Sequence, residues 1–161
     1  MKLLILTGQR KGEITKLTGG MVGENTITLP PALTKNGREH TFPIGSTAKA
    51  LLSPPPEDGY FFLALGRIAP FNGHSTCKPK LDKRCGVTGW TLHDLLRTFA
   101  SGLAAEEVQL PVIERLLNHI SGSFGGIVGV YQRYDFMPEM RHALAKWEAH
   151  TSKLSCGRLR V

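Results

Sequence analysis

Residues 89–103 read Gly-Trp-Thr-Leu-His-Asp-Leu-Leu-Arg-Thr-Phe-Ala-Ser-Gly-Leu, and this stretch decides the fold class. Thr91, with Asp94 three residues on, makes a capping-box pattern in which Asp replaces the usual Glu. Behind it Leu92, Leu95, Leu96, Phe99 and Leu103 recur at three-to-four spacing, the apolar stripe of a helix packed on a core. His93, Arg97 and Ser101 fall on an adjoining face of the same helix.

The chain after this helix keeps the same character. Pro111 stands in the first turn of another helix, with Val112, Ile113 and Leu116 inward and an end near His119. Gly122, Gly125 and Gly126 break the chain before a short apolar stretch through Val130. Pro138 opens a last helix with Met140, Leu144 and Trp147 on one edge, and Ser155 to Val161 reads as a frayed basic tail.

The chain before it is more punctuated. Leu3 to Leu6 reads as the end of a helix whose beginning is absent, Thr7-Gly8-Gln9 as a turn, and Arg10 to Leu17 as a short second helix. Thr26 to Leu29 and His40 to Ile44 alternate like strands. Between them Thr34-Lys35-Asn36-Gly37 holds an Asn-Gly pair, a hairpin-turn signal. Ser46 is expected to cap a brief helix through Leu52, which Ser53-Pro54-Pro55-Pro56 ends. Residues 66–89 read as a basic loop region carrying Lys78, Lys80, Lys83 and Arg84. The expected class is α+β, mainly α-helical with a small antiparallel β-sheet.

Composition sets the outer bounds. A chain of 161 residues is one domain's worth, at roughly 100–200 residues per domain. With 41% hydrophobic residues it carries the apolar content of a folded core, which a disordered tail lacks. No apolar run approaches the roughly 20 residues of a membrane span. Leu3 to Leu6 is too short for the apolar region of a signal peptide. Cys77, Cys85 and Cys156 form no disulfide framework, so a reducing, cytoplasmic setting is expected. Lysine and arginine number 20 against 13 acidic residues, a net +7 that favours acidic partners and nucleic acid above all.

Arg10, Lys35, His93, His119 and Tyr131 stand at the ends of these elements. Each alone has a plain structural reading: a helix start, a solvated hairpin tip, a helix cap, a half-buried tyrosine. Trp90 and Trp147 read as packing residues, Glu13 as a surface or structural acid, and Glu106 and Glu107 as a solvated face. Taken together, the five sit in sequence that resembles the catalytic domain of the tyrosine recombinases, most closely the phage and island integrases: Arg10, His93, His119 and Tyr131 in four boxes and Lys35 in a hairpin turn. Thr7-Gly8-Gln9-Arg10-Lys11-Gly12-Glu13-Ile14 is similar to that family's first arginine box, and Lys35 occupies the hairpin turn that carries its active lysine. Gly89 to Ala100 is similar to the histidine–arginine box, and Ile113-Glu114-Arg115-Leu116-Leu117-Asn118-His119 to the box that ends in a second histidine. Val130-Tyr131-Gln132-Arg133-Tyr134 matches the place of the nucleophile, with Tyr131 preferred to Tyr134, and the stretch from Arg141 to Trp147 is also typical of the integrase branch.

The resemblance implies a site-specific DNA recombinase or integrase domain over residues 1–154, with residues 155–161 as a basic tail. It implies DNA cleavage and rejoining through a 3′-phosphotyrosine intermediate. Tyr131 would be the nucleophile, Arg10 would hold the phosphate, and Lys35 would protonate the leaving oxygen. His93 would assist proton transfer and His119 would hydrogen-bond the phosphate. No metal and no cofactor are implied. The implied partner is double-stranded DNA in the bacterial cytoplasm, at the nucleoid, with no membrane partner; the family acts as a homo-oligomer on DNA, while this sequence does not fix the oligomeric state. Lys78, Lys80, Lys83 and Arg84 are the expected DNA-binding residues.

Two departures stand out. The family's second active arginine lies three residues after the box histidine, where this chain has Leu96. Losing one such donor costs about 10²–10³ in rate, so severe loss of activity is expected, and Arg97 is the candidate substitute. Family domains also begin with helices ahead of the first arginine box and with separate DNA-clamping domains, both of which read as absent here. Two further readings stay open: a catalytically inactive DNA-binding remnant of a prophage or island integrase, and a metal-dependent enzyme using His74, Cys77 and Cys85, whose spacing fits common zinc patterns poorly.

Overall fold

The computed structural model describes residues 1–52, 54, 56, 59–66, 68–119 and 135–156. Helices α1 (Lys2–Thr7) and α2 (Lys11–Thr15) lead through a 3-10 turn (Gly19–Met21) to strands β1 (Thr26–Leu29) and β2 (His40–Pro43). Then come α3 (Ser46–Ala50), α4 (His74–Cys85), α5 (Leu92–Ala105), α6 (Leu110–Leu116) and α7 (Met137–Cys156). The strands pair antiparallel, Ile27 opposite Phe42 and Leu29 opposite His40. A mainly helical chain with a small antiparallel sheet is the class that the sequence pattern indicates.

Helix α5 forms as its stripe predicts. The Thr91 backbone N–H and hydroxyl both donate to Asp94 Oδ2 at 2.8 Å, and these bonds hold Asp94 below the usual carboxylate range. Leu96, Phe99 and Leu103 are buried, while Leu92 and Leu95 are half-buried. They pack with Val112, Ile113 and Leu116 of α6 and with Met140, Leu144 and Trp147 of α7. A second cluster gathers Leu3, Leu4 and Leu6 of α1, Ile14, and Ile27, Leu29 and Phe42 of the hairpin. Ile5 packs against both clusters, and its carbonyl accepts the Trp147 indole N–H at 2.8 Å. Helix α1 is therefore the joint between the halves.

That joint depends on a glycine. Gly8 ends α1 with φ +67°, and a Cβ there would lie 2.3 Å from the ring of buried Phe99. The turn leading into Arg10 thus rests directly on α5. At Gly102, a Cβ would come 2.0 Å from the Trp147 ring, which lets α7 lie close on α5.

The structure corrects several local expectations. Residues 74–85, inside the stretch read as a basic loop, are helix α4. The stretch carries no apolar stripe, and Pro79 inside it removes a backbone donor. Gly86, in the left-handed conformation at φ +70°, stops it. Lys78 and Asp82 pair across one of its turns at 2.6 Å. The Thr15 hydroxyl donates to the Lys11 carbonyl and accepts from His74 Nε2 at 3.0 Å, which docks the start of α4 on α2.

Ser46 does not cap α3. Glu148 of α7 does so instead, accepting from the Thr47 N–H at 2.9 Å, the Ala48 N–H at 3.4 Å and the Ser46 hydroxyl at 3.2 Å. The Asn36-Gly37 pair makes no two-residue hairpin, because only Gly37 has positive φ and the connection runs over residues 30–39. Glu106 is half-buried and paired with His150 at 2.8 Å, so it is no solvated face. Helix α7 includes Ser155 and Cys156.

His40 is buried, stacks on Phe42 with centroids 5.0 Å apart, and donates from Nε2 to the Leu116 carbonyl at 3.1 Å. Burial pushes its pKa from 6.5 down to about 4; the bond to Leu116 opposes this, and the charges of Arg115 and Arg10 add to it. Stability from this group is therefore complete above about pH 6.5. It is lost as the pH falls from 6.5 towards about 4, since the unfolded chain takes up a proton that the native imidazole refuses. The loss is on the order of 3 kcal/mol. Urea midpoints at pH 7.5 and 4.5 should show that fall, and His40→Gln should reduce it. Gly8→Ala should cost roughly 2–4 kcal/mol at neutral pH, from backbone strain and overpacking against Phe99.

Candidate functional site

The α1–α2 turn presents Arg10. Its predecessor Gln9 is buried, and Gln9 Nε2 donates to the Thr7 carbonyl at 3.0 Å and the Leu116 carbonyl at 2.8 Å. Arg10 has extended backbone at the start of α2. Its backbone N–H donates to Glu13 Oε2 and its Nη1 to Glu13 Oε1, each at 3.2 Å. Glu13 is only 3% exposed, so the pair fixes the guanidinium from below while leaving donors for a ligand. From the sequence alone Glu13 is a structural or surface acid; its i,i+3 spacing from Arg10 is the signal that points to their pairing.

Arg10 lines an open cleft of about 740 Å³ together with Lys35, Lys78, Trp90, His93 and Leu96. Lys35 comes from the hairpin connection and His93 from the first turn of α5, and both are exposed. Lys78 reaches in from α4, with its ammonium 2.6 Å from Asp82 Oδ2 and 4.6 Å from the centre of the Trp90 ring. Trp90 in turn donates to the Val87 carbonyl at 3.3 Å, so it serves as a wall of the cleft as well as packing. Trp147, by contrast, is buried in the core as read from the sequence.

His119 follows α6, just after Asn118 turns the chain with φ +50°. Its backbone N–H donates to the Glu114 carbonyl at 2.9 Å. Partial burial lowers its pKa below 6.5; Arg10 repels its proton, Glu114 favours it, and His93 and Lys35 repel it further. At neutral pH the ring is thus mainly neutral, with one N–H to donate and no charge of its own. Arg10, Lys35, His93 and His119, far apart in sequence, form one electrostatic neighbourhood.

The other expected residues are placed differently. Leu96, 5% exposed, contributes an apolar side chain to the cleft wall. Arg97 is not among the residues lining the cleft. Its side chain is 73% exposed and donates to Asp94 Oδ1 at 3.1 Å, on the solvent side of α5. Lys80, Lys83 and Arg84 are exposed along α4, outside the cleft. Tyr131 and Tyr134 lie outside the described residues. His74 and Cys77 line a second, mostly apolar cavity of about 590 Å³ beside α1; His74 also lines the cleft, and Cys85 is part of neither. Among the described residues no group of three or more His, Cys, Asp or Glu side chains is arranged to hold a metal ion.

No protein-family model matches the chain, and no curated protein sequence matches it. Among solved structures, an integrase from mycobacterium phage Brujita superposes with a TM-score of 0.59 at 19% identity, over 89% of this chain and 54% of that one. The chain thus spans about half the length of that integrase. At this identity the likeness is one of fold: the chain has an integrase-like fold.

The Arg10–Glu13 and Arg97–Asp94 pairs differ in burial, and so in cost when cut. Arg10→Met leaves the Glu13 carboxylate buried with less compensation and should destabilise by about 1–3 kcal/mol. Adding Glu13→Gln should recover much of that loss. Arg97→Ala cuts an exposed, solvent-screened pair and should leave the unfolding midpoint close to that of the native chain. Thermal and urea unfolding of the four chains measures the contrast.

Proposed function

We propose that the chain is the strand-transfer domain of a tyrosine recombinase, in which the cleft lined by Arg10, Lys35 and His93, with His119 within reach of their charge, takes the scissile DNA phosphodiester and Tyr131 attacks it. The observation that carries this reading is the gathering of Arg10, Lys35 and His93 on one cleft, with His119 feeling the charge of all three. The integrase-like fold and the net charge of +7 support it.

The chemistry follows from the residue types. A phosphodiester is anionic, and charge shifts onto its non-bridging oxygens as the attacking oxygen approaches. Guanidinium and imidazole N–H groups already pointed at those oxygens stabilise that charge without reorganising. Arg10 supplies the fork, braced by Glu13, and neutral His119 supplies a donor. The Tyr131 hydroxyl attacks phosphorus in line with the 5′-oxygen and gives up its proton, with His93 assisting the transfer. The bond from phosphorus to the 5′-oxygen breaks, and Lys35 protonates that oxygen as it leaves. The 3′-phosphotyrosyl link keeps the phosphodiester energy, so attack by a 5′-hydroxyl reverses the steps and rejoins the strand. Neither a metal nor a nucleotide cofactor enters this scheme.

Leu96 weakens the site. It puts hydrocarbon on the cleft wall where a second guanidinium would share the phosphate charge, and Arg97 is turned to Asp94. Slow turnover follows. The same two observations favour a second reading, a DNA-binding domain without chemistry. In both readings the partner is double-stranded DNA held by a homo-oligomer in the cytoplasm, with Lys78 at the cleft and Lys80, Lys83 and Arg84 meeting flanking phosphates. Among the described residues no helix is long and apolar enough to cross a membrane.

A nicked duplex that traps covalent protein on denaturing gels tests the proposal. The native chain should form adduct slowly and Tyr131→Phe none, while Leu96→Arg should accelerate it by roughly 10²–10³. Salt-sensitive duplex binding without adduct in any chain selects the second reading. Adduct that survives Tyr131→Phe, or an absence of duplex binding, overturns the proposal.

A further inference from the structure

We infer that Asn36 and Asn118 are positioning residues: their side-chain amides clasp the hairpin connection to the turn after α6 and so fix the place of Lys35 relative to His119. Each asparagine is the immediate neighbour of a cleft residue, Asn36 of Lys35 and Asn118 of His119. Asn36 Nδ2 donates to Asn118 Oδ1 at 2.7 Å and to the Asn118 carbonyl at 3.3 Å, and Asn118 Nδ2 donates back to Asn36 Oδ1 at 3.3 Å. Both side chains are half-buried, so water competes for these bonds only in part.

Both ends of the clasp are held in place locally. On the hairpin side, the Thr34 hydroxyl donates to the Arg38 carbonyl at 2.7 Å and the Arg38 N–H donates to Asn36 Oδ1 at 3.2 Å. Asn36 therefore faces Asn118 from a braced loop. On the helix side, Asn118 has φ +50°, a conformation that asparagine tolerates better than most residues, and the backbone bonds at Asn118 and His119 tie the turn to Arg115 and Glu114. Without the clasp, an exposed lysine on a ten-residue connection has a wide conformational range. With it, the backbone of Lys35 is fixed relative to His119 before any ligand arrives, which is the preorganisation that a proton donor beside a phosphate ligand needs.

This inference rests on the strand-transfer reading for what Lys35 and His119 do, and on the hydrogen bonds alone for how they are held. The test therefore reads their proximity directly. The charges that act on the His119 ring are those of Arg10, Glu114, His93 and Lys35. The His119 ring protons are titrated by NMR in the native chain and in Lys35→Met, Asn36→Ala, Asn118→Gly and the Lys35→Met/Asn36→Ala double variant. Asn118→Gly removes the amide yet keeps a residue suited to positive φ, so it separates loss of the clasp from backbone strain.

Lys35→Met should raise the His119 pKa by removing a repelling charge. Asn36→Ala and Asn118→Gly should raise it in the same direction and by a comparable amount, and the double variant should go no further than Lys35→Met. A His119 pKa that moves in Lys35→Met but in neither asparagine variant overturns the clasp, as does one that Lys35→Met leaves unmoved. Shifts as expected in a chain that forms no adduct would sink the strand-transfer chemistry while leaving the clasp standing, so the two failures are distinct.

Discussion

The carbonyl oxygen of Leu116 is the atom on which the site is built. It lies at the carboxyl end of α6, where the last carbonyls of a helix have no partner within the helix. It accepts from the Gln9 side-chain amide at 2.8 Å and from His40 Nε2 at 3.1 Å. Because a carbonyl only accepts, His40 must carry its proton on Nε2, and burial keeps that ring otherwise unprotonated. Through this one oxygen the turn bearing Arg10, the strand that closes the Lys35 hairpin and the helix that leads to His119 are brought into register. No pair of these segments is adjacent in sequence.

The same convergence concentrates positive charge in the cleft. Arg10, Lys11, Lys35 and Lys78 line it together with the imidazoles of His74 and His93, and among the described residues Arg10 is paired with Glu13 and Lys78 with Asp82. The surplus of positive charge is felt at His119, whose proton is repelled by Arg10, His93 and Lys35. An anion in the cleft relieves that repulsion, which is why such a cluster points to ligand binding rather than to a stabilising network. Gly8 seats the Arg10 turn on Phe99, within the apolar cluster of α5, α6 and α7.

What was legible in the sequence was local. The stripe from Leu92 to Leu103, the Thr91–Asp94 cap, the strands flanking Lys35 and the edge from Met140 to Trp147 each follow from a short-range period or a capping pattern, and each is present in the structure. Helix α4 was not legible. It has no buried face to produce a stripe and contains a proline, and it is held by caps, one ion pair and its contacts with Thr15 and Trp90. Capping of α3 by Glu148 was equally hidden, because the carboxylate belongs to the last helix and no local pattern couples the two.

The sequence by itself determined the class of fold and the place of Leu96 three residues after His93, since both depend only on residue identity and short spacing. The tertiary structure decided which cations share a cleft. It brought Lys78 in from a segment read as loop, set Glu13 beneath Arg10, and turned Arg97 towards Asp94. The physical reason is that a helix period fixes which face a side chain occupies, while the partner of that face is chosen by long-range packing and by buried donors seeking acceptors.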